Sequence, residues 1–579
     1  MNLLPLLLLL LLVNWHPLKT EAANILCLVG TARHNNPGWT QPLFEALAER
    51  GHRLTVLSTA PAPAPAPKQK VEGITVFSLP NDYDVVHKYF VSRTSSYSSV
   101  FTAQQMFVWH DVPLGSCRSV MESPMLAKLR AQLIDEVADQ DLIISDATNG
   151  IECLLPLVPK ARSIPILGVS GGKLTSDLLK LVRAEDTINV ARIPHPISQL
   201  PEQMDFVGRL QNCGLYLVEK LLSWSDIFTI TRGAVARKDH VYPPLKLMLL
   251  NTHSTLDYAQ NLPASVIEVG GLHIWTKSRP LPANIQKFVD KFINAIVYIN
   301  FPHIDLFFGI GTKAVVHMAK RHPTYGFIWN VENVKELPEK MNNILTLHVD
   351  ARLQQDILAQ SGVKCFLNHG DSFSLQEAIY HAVPVLVIPL ILEQFNNALR
   401  IEERNLGVIL PTNTFFELTM ARTLKRVLNN QAIYTAVSQA QVKFRTRPMP
   451  PLEQAVWHVE HLVTEPELYS QLARPSVNFV VSHSLDILAI PAIALLILMA
   501  NVLLLVFQLM QSNDESQKSV PQKRVHYFRD NDANEMTYAT WEDYATRTGN
   551  VTRSTEENSS DIDETLGQRV KSRLEKKTD

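Results

Sequence analysis

The residues able to do chemistry are few and widely spaced. Cys27, Cys117, Cys153, Cys213 and Cys365 stand apart, with no CxxC pair and no histidine at ligand spacing. They build neither a zinc site nor a disulfide framework, so no metal is expected. Proton transfer offers a narrower choice. His34 lies in the stretch Thr31-Ala-Arg-His-Asn-Asn-Pro-Gly38. An imidazole there can act as a general base near pH 7, which the neighbouring Asn36 amide cannot. The alternative for His34 is an exposed loop histidine. Asp146 closes the apolar run Leu142–Ser145, a position from which a carboxylate can cap a helix. A third concentration, His369-Gly-Asp-Ser-Phe-Ser-Leu-Gln-Glu377, follows another apolar run, and Glu393-Gln394 follow the next. Taken alone, Glu377 reads as a solvated helix residue.

The elements that must position these residues are legible in the pattern. Asn24–Val29 is a β-rich run, Gly38–Arg50 has helical spacing with Leu43, Leu47 and Ala48 on one face, and Leu54–Leu57 is the next strand. A β-loop-α-β start predicts a parallel, doubly wound sheet. Leu142–Ser145 and Ile164–Val169 add buried strands. A second alternating set starts near residue 290, with strand runs Ala295–Ile299, Gly326–Trp329, Leu345–Val349, Cys365–Asn368 and Val383–Ile388. The prediction is an α/β fold of two Rossmann-like domains facing a cleft. The Pro-Ala alternation from Ala60 to Pro67 reads as an extended surface loop.

The bulk numbers agree. The chain has 579 residues, 54 Lys+Arg, 56 Asp+Glu, a net charge of −2 and 46% apolar residues. At roughly 100–200 residues per domain, two or three domains are expected. Wholesale disorder and a generic basic nucleic-acid binder are excluded.

Two hydrophobic segments bear on the compartment. Leu3–Val13 is too short for a bilayer, which needs roughly 20 residues. With Thr20-Glu21-Ala22 after it, the segment reads as a secretory signal peptide over residues 1–22. Ile487–Phe507 is broken only by Pro491 and Asn501 and reads as one transmembrane helix. Lys518, Lys523, Arg524 and Arg529 follow it, whereas the residues just before it carry only Arg474. The positive-inside rule predicts a lumenal body and a cytosolic C-terminus, a single-pass type I membrane protein. The polar tail 508–579 is expected to be disordered. It ends Lys576-Lys577-Thr578-Asp579, which resembles the dilysine retrieval signal of endoplasmic reticulum membrane proteins.

Three stretches resemble the membrane-bound UDP-glycosyltransferases of animals, the family of the UDP-glucuronosyltransferases. They are Asn251 to Tyr258, Val266-Ile-Glu-Val-Gly-Gly-Leu-His-Ile274 with Pro280-Leu-Pro282, and Phe366 to Glu377 continuing through Glu393-Gln394-Phe-Asn-Asn-Ala398. The resemblance implies a GT-B fold. Residues 23–278 would be the acceptor-binding domain and 279–465 the UDP-sugar-binding domain. Residues 466–486 would be a lumenal connector to the span at 487–507. It also implies inverting, metal-independent transfer of a hexosyl group, glucosyl or glucuronosyl, from a UDP-sugar co-substrate to a small lipophilic acceptor. No cofactor is implied, and homo- or hetero-oligomers are compatible with the family's habit of self-association.

By the same resemblance, His369 and Gly370 would sit beside the diphosphate at a helix N-terminus and Ser374 would donate to a phosphate oxygen. Glu377 would bind the ribose hydroxyls, Glu393-Gln394 the sugar hydroxyls, and Gln354 would line the uracil pocket. Asp146 matches the acidic residue that orients the family's catalytic histidine. That histidine's own position falls on Asn36, two residues after His34, so either His34 serves or the base is lost. Three donor positions also depart from the family. Asn300-Phe-Pro-His303 replaces a Ser-x-Gly-Ser turn, Ala351-Arg-Leu-Gln354 replaces Trp-x-Pro-Gln, and His369-Gly-Asp371 replaces His-Gly-Gly. A carboxylate at 371 repels a diphosphate unless a cation such as Arg352 pairs with it. The alternative to a working transferase is therefore a catalytically impaired relative that binds a hydrophobic ligand or a partner.

Overall fold

Strands buried on both faces can be apolar at every position, and this is how the central strands of the two sheets are built. The computed structural model describes residues 22–30, 38–59, 72–79, 139–149, 163–184, 187–230, 245–293, 295–301, 310–331, 341–390, 393–410, 417–472 and 485–518, with short pieces between 105 and 158. The signal-peptide segment, His34, Asn36, residues 302–309 and the tail after 518 lie outside this description.

The first sheet holds β1 (Asn24–Val29), β2 (Arg53–Ser58), β3 (Ile74–Ser78), β4 (Leu142–Asp146), β5 (Ile166–Ser170), β6 (Leu247–Leu250) and β7 (Val266–Glu268). Their order is β3-β2-β1-β4-β5-β6-β7, and all pairs are parallel. Its helices are α1 (Gln41–Glu49), α2 (Ser176–Leu181) and α3 (Phe206–Ile230). The second sheet holds β8 (Ile296–Asn300), β9 (Gly326–Asn330), β10 (Ile344–Leu347), β11 (Val363–Asn368), β12 (Val385–Val387) and β13 (Gly407–Ile409), in the order β10-β9-β8-β11-β12-β13, again all parallel. Its helices are α4 (Ala283–Lys291), α5 (Ile310–Arg321), α6 (Ala351–Leu358), α7 (Ser372–Tyr380), α8 (Gln394–Glu403), α9 (Glu417–Leu428) and α10 (Gln431–Arg445).

This topology positions the site. Chain order reverses between β1 and β4 in the first sheet and between β8 and β11 in the second. Open parallel sheets bind ligands outside the carboxyl ends of the strands at such switch points. Asp146 is the last residue of β4, and β1 ends five residues before His34 in the sequence. Asn300 ends β8, and His369 follows β11 directly.

The chain then crosses back. α11 (Pro451–Thr464) and α12 (Pro466–Ser470) follow the second sheet in sequence, yet Ala455, Val456, Val459, Leu462 and Tyr469 join the core of the first, with Ile25, Leu43 and Leu47. Arg50 Nη1 on the first half meets Glu460 Oε2 on α11 at 2.7 Å.

A separate unit contains α13 (Leu485–Lys518). Within it, Ile487–Gln511 is long and apolar enough to cross a membrane, and its side chains are exposed. The helix runs past the expected end at 507, into the first residues of the segment expected to be disordered. Residues 508–518 contain neither Gly nor Pro, so nothing local stops it.

Candidate functional site

Glu377 stands at the centre of the second switch point, and it is not a solvated helix residue. α7 begins at the end of β11 and is buried along Phe373–Ile379, because it lies between the two halves. Glu377 is fully buried. Gln354 Nε2 donates to its Oε2 at 2.6 Å and Gln355 Nε2 to its Oε1 at 2.9 Å. Gln354 Oε1 in turn accepts from Tyr298 Oη at 3.0 Å and from Asn300 Nδ2 at 2.7 Å, while Gln354 Nε2 also lies 3.4 Å from Ser374 Oγ. Three elements, β8, α6 and α7, thus deliver Asn300, Gln354, Ser374 and Glu377 to one point. Burial pushes the Glu377 carboxyl up to about 8, against the opposing pull of the Gln354 hydrogen bond, and the nearby Asp371 raises it further.

The network continues into the first half through His273. Its Nε2 donates to Phe373 O at 3.3 Å and lies 3.7 Å from Glu377 Oε1, and its Nδ1 accepts from Asn251 Nδ2 at 3.1 Å. Burial lowers its pKa to about 3, so the ring is neutral. Gln376 completes the dock: it accepts from Gly271 N at 2.7 Å and donates to Asn251 O at 2.8 Å. Phe373 packs on Trp39 with ring centroids 5.5 Å apart. It lies so close to Gly171 that a Cβ there would stand 2.4 Å from the phenyl ring. Sequence reasoning missed Gln355, Gln376, His273 and Phe373 as parts of this region. Their partners lie far away along the chain, and no local spacing signals them.

The other expected residues surround this centre. His369 is buried, with Nδ1 3.0 Å from Ile388 O and its ring 5.0 Å from that of Phe301. Gly370 adopts φ +86°, and a Cβ there would meet Val387 Cγ1 at 2.7 Å, so only glycine fits without strain. Gln394 Oε1 accepts from Leu390 N at 2.9 Å, and Glu393 is buried at the N-cap position of α8 without a capping hydrogen bond. Asp371 is the N-cap of α7, where its Oδ1 accepts from Ser374 N at 2.9 Å. An amide that could face an anion therefore already serves the chain's own carboxylate. Arg352 does not form the ion pair that would neutralise Asp371; its guanidinium lies over the Trp275 ring at 4.7 Å. At the first switch point Asp146 is fully buried and accepts from Thr148 N at 3.1 Å. Among the described residues no group of three His, Cys, Asp or Glu side chains could hold a metal ion.

The arrangement brings a buried carboxyl, amide side chains and a helix start together at the carboxyl end of the second parallel sheet. Several known proteins are similar to this chain. The chain is 24% identical to the UDP-glycosyltransferase UGT5 of Dactylopius coccus over 462 residues, which is 76% of this chain and 83% of that one. It is also 24% identical to the UDP-glucuronosyltransferase 2B15 of Homo sapiens over 477 residues, 77% of this chain and 86% of that one. A UDP-glucosyltransferase from Polygonum tinctorium capable of glucosylating indoxyl superposes at a TM-score of 0.46 with 16% identity, over 77% of this chain and 99% of that one. The family model for UDP-glucoronosyl and UDP-glucosyl transferases matches residues 39–518. With two parallel Rossmann-type sheets and a family match over most of its length, the chain belongs to the UDP-glucoronosyl and UDP-glucosyl transferase family.

Proposed function

We propose that the protein transfers a hexosyl group, glucosyl or glucuronosyl, from a UDP-sugar to a small lipophilic acceptor, with inversion and without a metal. The observation that carries this reading is the convergence of Asn300, Gln354, Ser374 and Glu377 on the β8/β11 switch point. Gln354 would face the uracil, Glu377 the ribose, His369, Gly370 and Ser374 the diphosphate, and Glu393 and Gln394 the sugar. In the reaction, the acceptor oxygen attacks the anomeric carbon as the bond to UDP breaks, and UDP departs with the bonding pair. The acceptor proton goes to a base, for which His34 is the candidate, with Asp146 orienting the resulting imidazolium. We place the body in the endoplasmic reticulum lumen, behind a cleaved signal peptide, with Ile487–Gln511 as a type I span and the tail in the cytosol.

The test incubates the full chain in detergent with UDP-glucose or UDP-glucuronate and a panel of phenols, and follows UDP release and the anomeric configuration of the product. An inverted glycoside supports the reading; absence of product with every donor overturns it. A second reading is favoured by one specific observation, the Asp371 carboxylate on the Ser374 amide. It describes a catalytically impaired member that holds a hydrophobic ligand or a partner. UDP binding without transfer, or lipophile binding without UDP binding, would support it.

A further inference from the structure

Helix α3 is built inside out. Its inward side is polar: Asn212 is fully buried, Glu219 is 3% exposed and Tyr216 7%. Asn212 accepts from His195 N at 2.7 Å and donates to Val190 O and Ile193 O at 2.6 and 2.8 Å. Glu219 Oε2 accepts from Ser176 Oγ at 3.0 Å and lies 3.6 Å from His195 Nε2. The outward side is apolar: Phe206 is 70% exposed, Leu210 64%, Leu217 59% and Leu221 54%, with Val207 and Val218 beside them. At about 100° per residue these six side chains fall within about 120° of the helix circumference, and Gly214 lies among them. Arg209 and Lys220 share one edge of that arc. A water-facing helix has the reverse arrangement.

We infer that the outer face of α3 lies in the interfacial layer of a lipid bilayer, as a second membrane contact beside the span. An apolar arc bordered by cations matches the acyl boundary and the phosphate headgroups respectively. The reach is right as well: 13 peptide links join Leu472, the last described residue of the body, to Leu485 at the start of α13. These extend at most about 45 Å, which caps the distance between Leu472 and the start of α13. The inference rests on the reading of Ile487–Gln511 as a span, and the experiment tests the two separately.

The full chain is reconstituted in phosphatidylcholine vesicles containing an acyl-chain diazirine lipid, irradiated and mapped by mass spectrometry. Lipid adducts are expected both on 487–511 and on 206–221. The variant Leu210→Gln/Leu217→Gln/Leu221→Gln is expected to lose most of the second set while keeping the first and the melting temperature. Adducts on 487–511 alone overturn the inference and leave the span standing. Adducts on neither overturn both. Unlabelled 206–221 with chemical crosslinks joining two copies through α3 would instead assign the face to self-association. If the triple variant does not fold, Leu217→Gln alone, with reduced labelling at that turn, gives the same reading.

Discussion

The two switch points share a strand order and differ in what fills them. At the first, β4 ends in one buried carboxylate, Asp146, whose Oδ1 accepts from Thr148 N at 3.1 Å in a local turn. At the second, a continuous network runs from Tyr298 through Gln354, Glu377 and Gln355 into the first half of the molecule, with His273 against Glu377. On the proposed function, the second switch point has two tasks for one set of groups. Glu377 holds together the seam between the halves, and it is also the residue that would take a ribose. A ligand there would, on the same proposal, compete with Gln354 and Gln355 for the same carboxyl group, which would couple binding to docking.

The largest expected effect breaks the seam by packing rather than by polarity. Phe373→Ala leaves a cavity against Trp39 and Gly171 and should cost about 3–5 kcal/mol, read from a denaturant midpoint. A loss under about 1 kcal/mol would show that the halves do not depend on this contact.

Next comes the pH dependence of the carboxylate. Glu377 ionises near 4.5 in an unfolded chain and near 8 in its buried site. Between those values the unfolded state releases a proton that the folded state keeps. Stability should therefore fall as pH rises across that window, by at most about 1.4 kcal/mol per unit. Glu377→Gln should remove that component, as compared by melting near pH 5 and near pH 8. In the opposite direction, and on the proposed function, UDP affinity should rise as pH climbs through about 8, because the ionised carboxylate is the better acceptor. An unchanged pH slope in the glutamine variant would contradict the buried-acid assignment.

A smaller effect separates charge from capping. Asp350 and Asp371 cap α6 and α7 alike, through Leu353 N at 2.7 Å and Ser374 N at 2.9 Å. Replacement of either by Asn keeps the cap, so stability should change by less than about 0.5 kcal/mol. Asp371→Asn alone should strengthen UDP binding, by roughly tenfold, because it removes a negative charge beside the diphosphate. Equal affinities in the two variants would place the diphosphate elsewhere. Below that tenfold change in binding lies Arg352→Ala, which loses its cation–π contact with Trp275 and should cost about 0.5–1 kcal/mol, read from a denaturant midpoint.

Much of this architecture is legible in the sequence, for a physical reason. Strands such as Ile296–Asn300 and Val363–Asn368 are buried on both faces and read as apolar runs. β3 (ITVFS) is half-exposed at a sheet edge, and β7 and β13 span three residues each, too short for a period to show. The return of α11 to the first sheet has no local signature, since its amphipathic face does not say which sheet will take it. The motif around His369 points to the second switch point, but the partners that enclose Glu377 come from Gln354, Gln355 and His273, and only folding brings them together. The apolar arc of α3 is present in the sequence as well, yet only the structure shows which side faces outward.

The most direct measurement of the central claim is calorimetric titration of the full chain with UDP, with Glu377→Ala as the comparison. The account predicts saturable binding of UDP to the native chain, weakened at least tenfold in the variant under conditions where both are folded. No binding to the native chain, or equal binding to both, would contradict a crevice that takes uridine diphosphate on Glu377.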